Sequence, residues 1–277
     1  MNVLVLIRGA GDLASGVALR LRRSGFSVIM TELHQPLVVR RMVSFAEAIY
    51  QGEFEVEGEI AQRIEAFEDA HKVLSVGKIP LVVDPEGEVV DCLREETYGR
   101  MAFVLIDARM TKKKPERGLE QADLVIGLGP GFAAGEDCHA VIETNRGHFL
   151  GRVIWDGCAL SDTGTPESVG NHSVERVLRS PTDGILQNLA TIGDHISIGQ
   201  TVAMVNGYRI NAPFDGVLRG LLYPGLMVTS GMKIGDLDPR DDSRYCWFVS
   251  DKSLAIGGGV LEAVLASPDV RRVLLKT

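Results

Sequence analysis

After Asn2, an unbroken apolar run from Val3 to Ile7 leads into Arg8 and the loop Gly9-Ala10-Gly11-Asp12-Leu13-Ala14. Short, continuous Val/Leu/Ile runs are the pattern of a buried parallel strand. From Leu13 to Arg23 the apolar positions Leu13, Val17, Ala18 and Leu21 fall at helical spacing, and Gly25 ends the run. Ser27–Leu33 then predicts a second strand. Strand, glycine turn, helix and strand in about 30 residues make one βαβ unit of Rossmann type.

The pattern continues less regularly. Val43–Tyr50 and Ile60–Val73 read as helical. Ile79–Asp84, Phe103–Asp107, Leu124–Leu128, Ala140–Glu143 and Arg152–Trp155 read as strands, several with a polar or glycine residue at the C-terminal end. In open α/β sheets that edge is where ligands bind.

Near Ser180 the helical period vanishes and glycines become frequent. Ser180–Leu186 aligns with Ala212–Leu218, and without a gap Gly193–Gly199 aligns with Gly225–Gly231, a repeat at an offset of 32 residues. Strands this short cannot bury a core alone, so the two halves are expected to fold together. The pattern resembles the barrel-sandwich hybrid of biotinyl and lipoyl carrier domains. Carriers hold a modified lysine on the turn between the halves; here that turn, Val205–Asn211, has none. No lipoate or biotin is therefore expected, and the barrel reads as a rigid lid, a docking face or a dimer contact. Beyond Arg240, Tyr245–Val249 predicts a strand and Val260–Leu265 a helix; too small for a domain, they are expected to rejoin the first sheet. The expected fold class is α/β, a Rossmann-like parallel sheet domain with an inserted all-β barrel-sandwich hybrid. Its parts are 1–175, 176–240 and a returning 241–277.

Composition narrows the function classes. The formal net charge of -8 argues against wrapping nucleic acid or coating an anionic membrane. Cys92, Cys138, Cys158 and Cys246 form no CxxC pair or zinc-ribbon cluster. The opening apolar run is shorter than a signal peptide or a membrane span. A cytoplasmic protein with reduced thiols is expected.

The candidate chemistry sits at strand ends. Gly9 allows a tight turn, Gly11 close approach of a diphosphate, and Ala14 helix packing. The helix start offers N–H groups to an anion. Glu32, 23 residues beyond Gly9, is placed to accept from ribose hydroxyls. Asp12 inside the loop weighs against NAD. Gly129 and Gly131, around Pro130, are read either as a second pocket wall or as a strand exit. Gly257, Gly258 and Gly259 are read as closing a cleft or packing on a helix. Arg109, Lys112, Lys113, Lys114 and Arg117 form a basic stretch, either solvated or holding a phosphate. Asp137, His139, Glu143, Arg146 and His148 lack diagnostic metal spacing, and no metal site or catalytic residue is assigned.

Several longer stretches together carry a family resemblance over nearly the whole chain. They are Arg8–Ala14, Arg40-Arg41 with Val43-Ser44-Phe45, Gly127–Phe132, Glu143–His148 and Glu175–Arg179, with Lys233–Asp236, Asp238–Arg240, Ser250–Lys252 and Ala255–Gly259. The chain resembles the selenium-dependent molybdenum hydroxylase system proteins, a prokaryotic accessory family distantly similar to xanthine dehydrogenase maturation factors. The family's lysine pair and threonine-containing loop after Asp107 are replaced by Lys112-Lys113-Lys114 and Pro115-Glu116-Arg117. The resemblance implies a maturation factor that binds a nucleotide or the molybdenum cofactor. Arg8, Gly9, Gly11, Asp12 and Glu32 would form the cradle, and Gly129, Gly131 and Gly257–Gly259 its walls. It implies a hydroxylase or a selenium-delivery protein as partner, a phosphorylated small molecule as ligand, and no nucleic acid or membrane. Homo-oligomerisation through the barrel is left open. The alternatives are an NAD(P)-dependent oxidoreductase and a non-catalytic scaffold.

Overall fold

A computed structural model of the chain describes residues 2–162 and 175–275. The chain forms two units. One comprises Met1–Pro36, Phe45–Asp162 and Val249–Thr277; the other comprises Leu37–Ser44 and Thr163–Phe248. The sequence boundaries shift accordingly: residues 37–44 leave the first part, and residues 241–248 stay with the second unit. The stretch 163–174, at the end of the expected first domain, lies outside the described residues.

In chain order the first unit contains β1 (Val3–Arg8), α1 (Asp12–Arg23), β2 (Ser27–Glu32), α2 (Ala48–Gln51), β3 (Glu53–Val56) and β4 (Glu59–Ile64). It continues through α3 (Ala70–Ser75), β5 (Ile79–Val83), α4 (Glu88–Thr97), β6 (Ala102–Asp107) and β7 (Leu124–Leu128). It ends with β8 (Ala133–Ala134), β9 (Ala140–Ile142), β10 (Val153–Ile154), β11 (Gly157–Cys158), α5 (Asp251–Ala266) and α6 (Pro268–Leu274). Nine strands form one sheet in the order β10-β9-β7-β6-β1-β2-β5-β4-β3. Its seven inner strands are parallel, and the edge strands β3 and β10 are antiparallel to their neighbours.

These facts correct the expected fold class. The large sheet is mixed rather than parallel, β8 and β11 pair antiparallel, and the second unit contributes two further antiparallel sheets. The stretch Ile60–Val73 is not a helix; it is β4, a short 3-10 turn and α3. The physical reason is the Glu57-Gly58 turn, with φ of 47° and 89°. Two positive φ values match the right-handed twist of a hairpin, so the chain folds back as β3 and β4. The expected strand Tyr245–Val249 is not formed; a 3-10 turn covers Ser243–Cys246, and the helix expected at Val260–Leu265 starts earlier, at Asp251.

The inner strands bury both faces. On one face Leu4, Leu6, Phe103 and Leu105 pack with Val89, Val90 and Leu93 of α4. Against the other face α1 and α5 pack so closely that a Cβ on Gly257 would lie 2.7 Å from the Gly16 carbonyl oxygen. No single helix among the described residues is long and apolar enough to cross a membrane.

The second unit holds β12 (Val177–Arg179), β13 (Gly184–Asn188), β14 (His195–Ile196), β15 (Thr201–Val205), β16 (Tyr208–Asn211), β17 (Gly216–Leu221), β18 (Met227–Val228) and β19 (Lys233–Asp238). Its sheets run β12-β19-β17-β14 and β16-β15-β13-β18. The 32-residue repeat appears here as reciprocal bonding. Asp183 accepts from the Ser230 amide at 2.7 Å, and Asp215 accepts from the Ile198 amide at 2.6 Å. Gly193 donates to Leu218 and Gly225 to Leu186; Gly199 donates to Ala212 and Gly231 to Ser180. Each half thus supplies what the other lacks, and their apolar residues share one core.

Candidate functional site

The Gly9 and Ala10 part of the first glycine loop bonds to the protein itself. Gly9 turns with φ of 97° and donates to the Thr31 carbonyl at 2.8 Å. The Ala10 amide donates to Glu32 Oε2 at 2.8 Å, and the Leu33 amide donates to Glu32 Oε1 at 2.8 Å. The Ala10 carbonyl accepts from the Ser15 hydroxyl and the Ala46 amide, and Ser15 Oγ accepts from the Phe45 amide. Burial raises the Glu32 pKa against the lowering effect of these two amides. Glu32 is therefore a strut under the loop, not an acceptor held out for ribose. Asp12 accepts from the Ser253 hydroxyl at 2.7 Å and ties α1 to α5.

Gly257–Gly259 are corrected too. They lie in the middle of α5, where a Cβ on Gly257 would crowd Gly16 and Arg20, and one on Gly259 would overlap the Gly151 carbonyl. Gly257 lets α5 pack on α1, Gly259 lets it pack on the Gly151 turn, and Gly258 has nothing within 4 Å of an added Cβ. Gly129 and Gly131 have φ of 71° and 109°. A side chain on Gly129 would strike Thr144, and one on Gly131 would lie 2.8 Å from the Lys113 carbonyl oxygen. Gly129 thus makes room for the Thr144 side chain and Gly131 for the Lys112-Lys113 backbone.

Arg8 differs from all of these. Its register partners are Thr31 on β2 and Asp107 on β6, and Asp107 is in turn opposite Gly127 on β7. These four residues make the last rung of the carboxyl edge. Side chains alternate along a strand, so Arg8 follows Leu4 and Leu6 onto the α4 face, away from α1. The expected cradle is thereby divided between two faces of the sheet.

Arg8 is only 6% exposed, and its Nε is buried without a hydrogen-bond partner. The acids near it are committed elsewhere. Asp107 holds Arg109 by a fork of 3.1 and 2.6 Å to Nε and Nη2. Asp84 caps α4, accepting from the amides of Gly87, Glu88 and Val89 at 3.0, 2.9 and 3.1 Å. Burial, then the charge of Arg109, lowers the Arg8 pKa; a guanidinium nonetheless stays charged in a protein. Around it lies a recess of about 10 Å³, lined by Asp107, Arg109, Glu116, Gln121, Phe132 and Asp137 among others. That is room for about one water. Asp84-Pro85-Glu86-Gly87 is a legible turn-and-cap signal that the sequence reading passed over.

The remaining candidates are dispersed. Lys112 pairs with Asp162 at 2.6 Å, Lys114 with Asp137 at 3.3 Å and Arg117 with Asp91 at 2.7 Å. Glu143 accepts from the Asn145 and Leu160 amides at 2.7 and 2.8 Å. His139 Nδ1 accepts from the Val125 amide at 2.9 Å, at the other end of β9, and burial lowers its pKa. Arg146 pairs with Asp251. Among the described residues no three His, Cys, Asp or Glu side chains gather to hold a metal. Burial pushes the Cys138 thiol up to about 12 and also raises Cys246, so neither is poised as a nucleophile. An open hollow of about 730 Å³ on the amino edge is lined by Arg94, Tyr98, Arg100 and others; those three side chains are exposed, and Arg8 does not face it.

No family model matches the chain. It is 47% identical over 262 residues to the uncharacterized protein YqeB of Escherichia coli (strain K12), covering 95% of this chain and 47% of that protein. The chain thus spans about half the length of the curated relative it matches. Among solved structures, the ectoine utilization protein EutE (DoeB) from Ruegeria pomeroyi is 10% identical, with 85% of this chain and 57% of that chain covered and a TM-score of 0.22. A succinylglutamatedesuccinylase/aspartoacylase from Rhodobacter sphaeroides is 10% identical, with 84% and 85% covered and a TM-score of 0.24. An aspartoacylase family protein from Mesorhizobium loti is 9% identical, with 85% and 84% covered and a TM-score of 0.25. None of these names is that of a maturation factor for selenium-dependent molybdenum hydroxylases, and that expectation is withdrawn. At such low TM-scores the structures carry no argument about a reaction of this chain.

Proposed function

We propose that this chain binds a compact anionic small molecule at the carboxyl edge of its large sheet, with Arg8 as the charge partner. The observation that carries the reading is the buried, unpartnered Arg8 guanidinium. Removing a charge from water without a partner costs several kcal/mol, and a bound anion offsets that cost. The position adds support. β1 lies between β2 and β6, with the chain leaving first to one side and later to the other. Such a crevice at the carboxyl ends is the usual ligand position in open α/β sheets. The planar fork of an arginine also suits carboxylate or phosphate oxygens.

The test is anion-dependent stability of the wild type and Arg8→Met. The wild type gains stability with anion concentration and saturates, as a single site on the native state requires. Arg8→Met without added anion is as stable as the wild type or more so, because it removes a buried uncompensated charge, and it no longer responds to anion. An equal response in both proteins would overturn the reading.

A further inference from the structure

We infer that the segment from Met110 to Arg117 is a lid over Arg8 that opens to admit a compact anion; this rests on the anion-binding reading and goes beyond it.

The need for a lid follows from volume. The recess has room for about one water, whereas even the smallest carboxylates are larger. The segment above it, including Pro115, Glu116 and Arg117, must therefore move to admit one. Its attachments suit movement. No backbone-to-backbone hydrogen bond joins residues 110–117 to another described residue. Its contacts include the ion pairs Lys112–Asp162, Lys114–Asp137 and Arg117–Asp91, and a longer one between Glu116 and Arg109 at 3.9 Å. The exposed pairs Lys112–Asp162 and Arg117–Asp91 contribute about 0–1 kcal/mol each and are weakened by salt. Met110 and Lys112 have φ of 56° and 59°, a left-handed conformation that non-glycine residues resist. The closed segment thus carries strain and rests on weak fastenings. Gly131 is its seat: a Cβ there would lie 2.9 Å from the Lys113 amide nitrogen and 2.8 Å from its carbonyl oxygen.

The experiment is tryptic cleavage at Lys112–Lys114, with acetate calorimetry in parallel, using sodium acetate, chloride and sulfate at equal ionic strength. Cleavage of an open segment tracks its population, so acetate at ten times its dissociation constant slows it about tenfold in the wild type. Arg8→Met shows no acetate protection. Gly131→Ala, which unseats the segment without touching Arg8, is cleaved faster in every salt. Acetate heat that depends on Arg8 with unchanged cleavage would remove the lid and leave the anion site standing. Absence of that heat would remove both, leaving only a buried water beside Arg8.

Discussion

Three adjacent glycines in one helix should answer the same substitution with different signs. Replacing a helix-interior glycine by alanine gains about 1 kcal/mol from reduced backbone entropy in the unfolded chain. At Gly258 nothing lies within 4 Å of an added Cβ, so that gain is kept whole. At Gly259 the added atom overlaps the Gly151 carbonyl oxygen and lies 3.1 Å from Ile142 Cγ2. At Gly257 it lies 2.7 Å from the Gly16 carbonyl oxygen, which α1 holds in place, and 2.8 Å from Arg20 Cγ, which can swing aside. Overpacking of this kind costs about 1–3 kcal/mol, and more where only backbone can yield. Net of the helical gain, Gly258→Ala stabilises by about 1 kcal/mol, Gly257→Ala is neutral to about 2 kcal/mol destabilising, and Gly259→Ala is the worst of the three. Urea unfolding followed by helix signal measures all three, and an unchanged m-value licenses reading midpoints as stability. The ordering Gly258→Ala above wild type above Gly259→Ala is the claim. A Gly258→Ala protein less stable than the wild type, or a Gly259→Ala protein equal to it, would refute the packing argument and reopen a ligand role for the triplet.

Glu32 should make stability depend on pH. Burial raises its native pKa above the ordinary 4.5, so the native state binds its proton more tightly than the unfolded chain. The resulting stabilisation is complete below the ordinary glutamate range and is lost as pH rises through the native value. The stability difference between wild type and Glu32→Gln, followed from pH 4 upward, should therefore shift against the wild type across that window; a flat difference is the contrary result. For the thiols, Cys92 and Cys158 are exposed while Cys138 and Cys246 are buried. A thiol reagent at about pH 8, near the ordinary cysteine pKa, should label two groups quickly in the native protein and four in denaturant; a third fast thiol contradicts the burial assignment. In the second unit, Asp236 is 1% exposed and holds Arg176 at 2.5 Å and Arg219 at 2.5 Å. Asp236→Asn leaves two buried guanidinium groups short of a charge and should cost about 3–5 kcal/mol in unfolding experiments, whereas a loss under about 1 kcal/mol, as for an exposed pair, would contradict its burial.

What could be read from sequence and what could not separate along physical lines. The strands β1, β5, β6 and β7 were legible because burial on both faces demands continuous apolar runs, and Leu124–Leu128 matches its span residue for residue. The repeat was legible because Asp183 and Asp215 occupy equivalent positions and do equivalent work. The hairpin β3–β4 was missed because Ile60, Ile64 and Phe67 fall three and four residues apart and imitate a helix, although Glu57-Gly58 was a two-residue turn in plain view. The antiparallel edge strand β3 follows from that miss, whereas β10 lies within the expected strand Arg152–Trp155 and only its direction was not legible. The division of the chain around residues 37–44 had no local signal, because it depends on long-range contacts such as the Leu221 amide donating to the Val39 carbonyl.

The candidate site shows the same limit more sharply. Arg8 and Gly9 are adjacent, and a sequence reading naturally gives them one ligand. Adjacent residues on a strand face opposite sides of the sheet, so Arg8 joins the layer under α4 while the loop it precedes belongs to α1. Within that loop the Gly9 and Ala10 amides and the Ala10 carbonyl are answered by Thr31, Glu32, Ser15 and Ala46. The chemical interest moves one residue back, to the side chain whose bonds are unmade. That absence has no sequence signature of its own. It arises because Asp84 turns to the amides of α4 and Asp107 turns to Arg109, and either acid could have paired with Arg8 had the loops run differently. A glycine-rich strand end identifies where backbone comes close. Which face carries an unanswered charge is decided by the partners that three separate loops choose.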